Sequence, residues 1–252
     1  MENKFSEQNS NIICGRNPVL EAVRSGREID RLLVAHGVTG GSVTEIIAKC
    51  KAKGILIKEI SPQKLDYYCG GANHQGVAVM FASQKYSTVE EILETAKLKN
   101  ENPFIIICDE IEDPHNLGAI IRTAEASGVH GIIIPKRRSA SLNATVAKSA
   151  SGALEYMKVA RVTNIANTID ALKKSGVWVF GADMDGEDYT KTDFNIPCAI
   201  VIGNEGNGIG LLTAKKCDGI ISLPMCGKIN SLNASVAAGV LMYEVVRKRR
   251  MK

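Results

Sequence analysis

The chain has 252 residues, 45% hydrophobic and 23% charged, with a formal net charge of +4. That balance belongs to a globular protein with a real core and excludes global disorder. Aliphatic runs such as Phe104 to Cys108 and Ala199 to Ile202 fall far short of the ~20 residues that cross a bilayer, and the polar start MENKFSEQNSNIICG has no apolar signal stretch, so a cytoplasmic location and no membrane partner are expected.

In chain order, the first eighty residues read as a small α/β unit. A helix is expected from Asn17 to Ser25, a strand at Leu32 to Ala35, a helix from Ser42 to Lys53, and strands at Ile55 to Ile60 and Val77 to Ala82. Ser42 reads as an N-cap with Glu45 three residues on, and Gly54 ends the helix. From Ser83 the composition turns to Gln, Lys, Ser, Thr, Glu and Asn around one amphipathic stretch, Val89 to Leu98. Residues 83–102 therefore read as a linker between a first domain, 1–82, and a second, 103–252.

Beyond Pro103, short Ile- and Val-rich runs at Phe104 to Cys108, Ile132 to Ile134, Val177 to Phe180, Ala199 to Ile202 and Ile220 to Leu223 alternate with helical patterns. Helices are expected near 117–127, 143–151, 165–175, 211–217 and 232–248. Nearly continuous aliphatic runs suit strands covered on both faces, so the second domain is α/β with a mainly parallel sheet. The positive excess lies beyond residue 95, in Lys136-Arg137-Arg138 and in Arg247-Lys248-Arg249-Arg250 with Lys252. Such clusters either meet phosphates or form a solvated surface. Seven scattered cysteines and four histidines include no C-x-x-C pair and no i, i+4 histidines, so no metal site is expected.

Ligands of such sheets collect at the carboxyl ends of strands, and three segments there are unusual. After Cys108, DEIEDPHNLGAIIRTAEASG contains an Asp113-Pro114 turn, Asn116 as a candidate helix cap, and Arg122 six residues on in an apolar helix. After Ile202, GNEGNGIG places four glycines in eight residues around Glu205. Its spacing is not the G-x-G-x-x-G of a dinucleotide loop, which excludes a nicotinamide-dependent oxidoreductase. After Leu223, PMCGKINSLNASVAAGV sets Ser231, Asn233 and Ser235 about the start of a small-residue helix.

Together these segments resemble the motifs of the SpoU/TrmH family, of the SPOUT superfamily, of S-adenosylmethionine-dependent RNA ribose 2′-O-methyltransferases. The likeness rests on Asp113-Pro114-His115-Asn116-Leu117-Gly118 with Arg122-Thr123-Ala124, on Ile202-Gly203-Asn204-Glu205-Gly206, and on Leu223-Pro224-Met225 through Ser231-Leu232-Asn233-Ala234-Ser235. Gly15-Arg16-Asn17-Pro18 and His74-Gln75-Gly76-Val77 resemble the ribosomal-protein-like first domain of the branch that modifies large-subunit rRNA.

The resemblance implies a trefoil knot in the second domain, a homodimer, and methylation of a guanosine in 23S rRNA. It implies that Arg122 lies beside the ribose hydroxyl, that Asn116, Ser231 and Asn233 order the site, and that Glu205 supports them. Ile202, Gly203, Leu223, Met225 and Leu232 would hold S-adenosylmethionine, and Arg16, Asn17, His74 and Gln75 would bind RNA. A guanidinium is a permanent cation with fixed donors, so Arg122 is expected to stabilise the developing alkoxide rather than remove its proton. Two alternatives remain: a tRNA 2′-O-methyltransferase, and a non-catalytic RNA-binding factor of the same fold.

Overall fold

A computed structural model describes residues 11–251; Met1 to Ser10 of the polar start and the terminal Lys252 lie outside the described residues. The chain divides into two units, one running to Lys85 and taking in Ser141–Ala144, the other made of Tyr86–Ala140 and the residues from Thr145 on.

The first unit contains β1 (Ile12–Cys14), α1 (Arg16–Arg24), β2 (Ile29–Ala35), α2 (Gly41–Ala52), β3 (Leu56–Ile60), α3 (Pro62–Cys69) and β4 (Val77–Phe81). Its sheet has the order β1-β4-β2-β3, with β2 and β3 parallel and both of β4's pairings antiparallel. Val19, Val23, Leu32, Ile46, Cys50, Val77 and Val79 fill one face, and Leu33, Leu65, Cys69 and Ala78 the other. Two expectations change. Gly40, not Ser42, is the N-cap of α2, because the Ser42 hydroxyl accepts from Arg16 Nη1 at 3.3 Å instead of capping. β1 and α3 add to the expected elements; α3 starts on a Ser61 cap that accepts from the Lys64 N–H and ends on left-handed Gly70.

The second unit contains α4 (Val89–Leu98), β5 (Phe104–Cys108), α5 (Pro114–Ala126), β6 (Gly131–Pro135), α6 (Ala144–Ala150, whose first residue falls at the boundary), β7 (Val159–Val162), α7 (Ile165–Lys174), β8 (Trp178–Asp188), β9 (Cys198–Ile202), α8 (Leu211–Lys216), β10 (Gly219–Ser222) and α9 (Ala234–Arg250). Its six strands are parallel, in the order β10-β8-β9-β5-β6-β7. β5 and β9 are wholly buried, as strands covered by helices on both faces must be.

Residues 86–102 are not a linker. Thr88 caps α4 through a reciprocal capping box with Glu91, and Ile92 inserts fully buried among Ile105, Ile133, Ala160 and Val179. A Cβ on Gly131 would lie 2.4 Å from the Ile92 side chain, so the helix seats directly on β6. The boundary therefore falls near Lys85, and α4 belongs to the core of the second unit.

The C-terminal basic cluster is largely spent within this unit. Arg249 donates to the carbonyls of Phe194, Asn102, Pro103 and Ile196, at 2.8 to 3.1 Å, stitching the ends of β5 and β9 together. Arg247 forms a bidentate pair with buried Glu244, both bonds 2.7 Å, and that pair holds the Glu244 carboxyl below its ordinary pKa. Lys248 Nζ donates to the Thr190 carbonyl at 2.8 Å. These side chains brace α9 against its own domain rather than forming a solvated tail.

Strand order fixes where a site can be. From β5 the chain moves outward to β6 and β7, then restarts on the other side at β8, and β9 fills the gap beside β5. The direction of winding thus reverses between β5 and β9, and the loops leaving their carboxyl ends diverge and open a crevice.

Candidate active site

The crevice is built from three loops. After β5, Asp113 caps α5 by accepting the His115 N–H at 2.9 Å, and Pro114 occupies the first turn. Asn116 is consequently not the cap; it sits in the first turn with its side chain free to reach across the crevice. After β9, Asn204 and Gly208 exchange backbone hydrogen bonds of 3.0 and 2.8 Å, closing a tight loop around Glu205. A Cβ on Gly203 would lie 2.2 Å from the Gly208 carbonyl carbon, and Gly208 has φ +63, so both positions require glycine. After β10, the chain runs without regular structure to Asn233, the N-cap of α9.

Asn116, Glu205 and Asn233 meet there. Asn116 Nδ2 donates to Glu205 Oε1 at 2.9 Å, and Asn233 Nδ2 donates to Asn116 Oδ1 at 2.9 Å. Asn233 Nδ2 also donates to Glu205 Oε1, which accepts the Ala234 N–H at 3.2 Å as well. One carboxylate oxygen thus gathers donors from α5 and from the start of α9. Asn233 Oδ1 meanwhile caps α9, accepting from the N–H groups of Ser235 and Val236 and from the Ser235 hydroxyl at 2.6 Å.

The glycine loop is tied to β5 twice. Asp109, a buried carboxylate at the carboxyl end of β5, accepts the Gly210 N–H at 3.0 Å, and Asn204 Nδ2 donates to the Glu110 carbonyl at 3.1 Å. Sequence reasoning passed over Asp109, although a charged residue directly after five buried strand residues is a readable signal.

The remaining predicted residues are placed less centrally. Arg122, on an exposed face of α5, donates from Nη1 to Ser151 Oγ at 3.3 Å and to none of Asn116, Glu205 or Asn233. Ser231 is exposed, two residues before Asn233. Ile202 is buried at the end of β9, where its carbonyl accepts the Asp109 N–H at 2.8 Å. Leu223 and Met225 are half-buried, and Leu232 is 40% exposed. Partly exposed apolar side chains suit a ligand with a flat heteroaromatic base and an aliphatic arm, as in adenosylmethionine.

In the first unit, Arg16, His74 and Gln75 converge where β1 ends and β4 begins. The Arg16 N–H donates to Gln75 Oε1 at 3.1 Å, and its guanidinium donates to the carbonyls of Gln75 and Thr39 at 3.2 and 3.5 Å. His74 Nδ1 accepts the Gly76 N–H at 2.9 Å, so Nε2 carries the proton toward Asp66 Oδ1, also 2.9 Å away. Gln75 holds φ +48, which presents its side chain at the turn. Asn17 lies exposed in the first turn of α1. Among the described residues no group of three or more His, Cys, Asp or Glu is placed to hold a metal, and no helix is long and apolar enough to cross a membrane.

Comparison with known proteins places this geometry. Residues 103–243 match the model of the SpoU rRNA methylase family, and residues 12–87 match that of the RNA 2′-O ribose methyltransferase substrate-binding domain. The chain belongs to the SpoU family. It is 48% identical over 243 residues to YacO of Bacillus subtilis strain 168, named a TrmH family tRNA/rRNA methyltransferase, covering 96% of this chain and 97% of that one. A Staphylococcus aureus MSSA476 protein of the same family name is 46% identical, over 94% and 96% of the two chains. The SpoU methyltransferase AviRb of Streptomyces viridochromogenes, solved in complex with the cofactor AdoMet, is similar in structure with a TM-score of 0.61 at 26% identity, covering 100% of this chain and 95% of AviRb.

This SpoU protein is therefore an RNA methyltransferase whose cofactor is S-adenosylmethionine. Its fold is the SpoU arrangement, a substrate-binding domain followed by a methylase domain with a parallel sheet. The residues at the ends of β9 and β10 fit that cofactor in kind: Gly203 and Gly208 permit the close backbone turn, and Leu223, Met225 and Leu232 are apolar and partly exposed.

Proposed function

We propose that the protein transfers a methyl group to the ribose 2′-oxygen of a guanosine in 23S rRNA, as a cytoplasmic homodimer. The observation that carries the substrate class is the first unit, matched by an RNA 2′-O ribose methyltransferase substrate-binding model over residues 12–87. An rRNA methyltransferase of Sinorhizobium meliloti is similar over 98% of this chain at 26% identity and a TM-score of 0.58, whereas the A. aeolicus TrmH/SpoU tRNA modifying enzyme, at 25% identity and a TM-score of 0.56, covers only 64% of it. The fuller coverage by the rRNA enzyme supports the rRNA reading over the tRNA reading.

When bound, S-adenosylmethionine would supply an electrophilic methyl on a positively charged sulfur; the ribose 2′-oxygen gains the methyl as the carbon–sulfur bond breaks, S-adenosylhomocysteine leaves, and the 2′-hydroxyl proton passes to solvent or to a nearby RNA phosphate. The chain's own residues then have three tasks. Asn116, Glu205 and Asn233 lock three loops into one crevice, so that cofactor and ribose are held in line and the reaction is effectively unimolecular. Arg122 opposes the charge that develops on the 2′-oxygen, as a permanent cation with fixed donors can. Ser231, exposed two residues before Asn233, hydrogen-bonds the ribose. Arg16, Asn17, His74 and Gln75 recruit the RNA.

The dimer reading is supported by α9. Val236 (51% exposed), Val240 (39%) and Tyr243 (52%) follow helical spacing and form an uncovered apolar stripe beside small Gly239. The knot reading is supported by the path after β10: the chain leaves an edge of the sheet yet returns to the middle, where α9 meets α5 with Gly239 against Thr123.

The deciding experiment is transfer of radiolabelled methyl from S-adenosylmethionine to total rRNA and tRNA from a strain lacking the gene, with mapping of the labelled ribose. Label on one guanosine of 23S rRNA is expected. Label confined to tRNA overturns the substrate, and cofactor binding without label on any RNA favours the non-catalytic factor.

A further inference from the structure

α6 grips α5 along one face. His115, Gly118 and Arg122 stand three and four residues apart on α5 and so share a side of the helix. A Cβ on Gly118 would lie 2.4 Å from the Ser149 Cβ and 2.9 Å from the Val146 carbonyl oxygen, so the two backbones touch there. On either side of this contact stands a polar pair: Ser149 Oγ with His115 Nδ1 at 3.2 Å, and Ser151 Oγ with Arg122 Nη1 at 3.3 Å.

Ser151 is the unusual member. It ends α6 in left-handed backbone at φ +49, and Gly152 follows at φ +87. A side chain disfavours that conformation, which glycine or asparagine adopts at less cost, so the turn itself does not ask for serine. Strain retained at a single residue points to what its side chain does. Here the hydroxyl is an acceptor fixed by the backbone, and the group it holds is a long, exposed guanidinium with many rotamers of its own.

We propose that Ser151 is a positioning residue: its hydroxyl orients the Arg122 guanidinium toward the ribose 2′-oxygen. The inference rests on the role given to Arg122 above, and adds the residue through which α6 sets its aim. A guanidinium displaced by an ångström loses most of its effect on a developing charge, so release of this one contact should reach the chemical step while leaving the cofactor crevice, built by Asn116, Glu205 and Asn233, intact.

The test is Ser151→Gly in the full chain, because glycine keeps the left-handed turn and removes only the hydroxyl. The melting temperature is expected to hold or rise, S-adenosylmethionine affinity to stay unchanged, and kcat to fall about ten-fold. Ser151→Asn, which tolerates the backbone and restores an acceptor, should recover part of that loss. Independently of activity, NMR of labelled arginine side chains should show faster rotation of the Arg122 guanidinium in Ser151→Gly than in the parent. A kcat within about two-fold of the parent overturns the proposal, as does a loss of kcat that merely follows a lowered melting temperature. If the parent itself methylates neither rRNA nor tRNA, the functional reading has failed instead, and the guanidinium rotation still decides whether Ser151 holds Arg122: an unchanged rate overturns it.

Discussion

Asn233 donates to Asn116 at 2.9 Å across 117 positions of the chain, and the same side chain caps α9 through its other end. Its Nδ2 serves the crevice while its Oδ1 serves the helix, so two functions that mutation normally confounds can be separated here. Asn233→Ala should remove both: about 1 kcal/mol of stability from the lost cap, and the crevice contacts with it. Asn233→Ser should keep the cap, since serine accepts from the same N–H groups, yet lose the bonds to Asn116 and Glu205. Denaturant unfolding should therefore rank serine close to the parent, whereas calorimetric titration with S-adenosylmethionine should rank it with alanine.

Glu205 invites a different comparison. Its Oε1 receives donors from Asn116, Asn233 and the Ala234 N–H, and a glutamine would still offer an oxygen at that place. Glu205→Gln should retain most cofactor affinity, while Glu205→Ala leaves those donors unmatched, a loss on the order of 1–3 kcal/mol. Equal affinities for the two variants, measured by titration, would show that the negative charge rather than the acceptor geometry matters.

The parallel core could be read from the sequence because β5 and β9 are uninterrupted aliphatic runs, and such short uninterrupted runs are what strands covered on both faces require. β7 leaves no such signal, since its four residues, VARV, carry an arginine and form no longer run. α4 reads as a linker in composition because only Ile92 and Ala96 are buried on it, and so few anchoring residues leave little trace. The crevice itself could not follow from spacing. Asn116 and Glu205 lie 89 positions apart, and only strand order brings the loops after β5 and β9 side by side. The resemblance named these residues, but their bonds, and Asp113 rather than Asn116 as the α5 cap, are properties of the fold.

Arg16, proposed to help recruit RNA, braces the loops of the first unit by reaching Gln75, Ser42 and Thr39 at once. Arg16→Ala should lower RNA affinity in a filter-binding assay and leave S-adenosylmethionine affinity unchanged. Arg16→Lys should not restore it, since a single ammonium cannot span three acceptors that a planar guanidinium spans. Unaltered RNA binding in both variants would assign Arg16 to folding of the loops alone.

His130 gives the methylase domain a sensitivity to acid. The ring is buried; Nδ1 accepts the Phe104 N–H at 3.0 Å and Nε2 faces Glu101 at 3.0 Å. Burial lowers its pKa from 6.5, helped by the charges of Lys99 and Arg249 and opposed by Glu101. The folded chain thus binds this proton more weakly than the unfolded chain. Its contribution is complete above pH ~6.5 and is lost as the pH falls from there toward the lowered value. Melting temperature should drop between about pH 6.5 and 5 in the parent, and less steeply in His130→Gln, whose amide can accept the Phe104 N–H without titrating. Identical slopes would remove His130 as the cause.

Arg122 carries the sharpest consequence for the chemistry. It reaches Ser151 and none of the three residues that close the crevice, so its removal should spare what they build. In Arg122→Ala, S-adenosylmethionine should bind with nearly the parent's affinity while methyl transfer falls by roughly 100-fold or more, the scale on which loss of one preorganised charge donor acts. Arg122→Lys keeps the charge but replaces a planar set of donors on three nitrogens with a point charge, and should recover only a small part of the rate. The pH profile separates the two roles a cation can play here. If Arg122 stabilises the alkoxide, the residual activity of Arg122→Ala keeps the parent's pH dependence at a lower level. If it removes the proton, the variant's rate should instead climb with added base and be rescued by small exogenous amines. Single-turnover transfer to the mapped RNA, measured from about pH 6 to 9, a range over which a guanidinium stays protonated, distinguishes these outcomes.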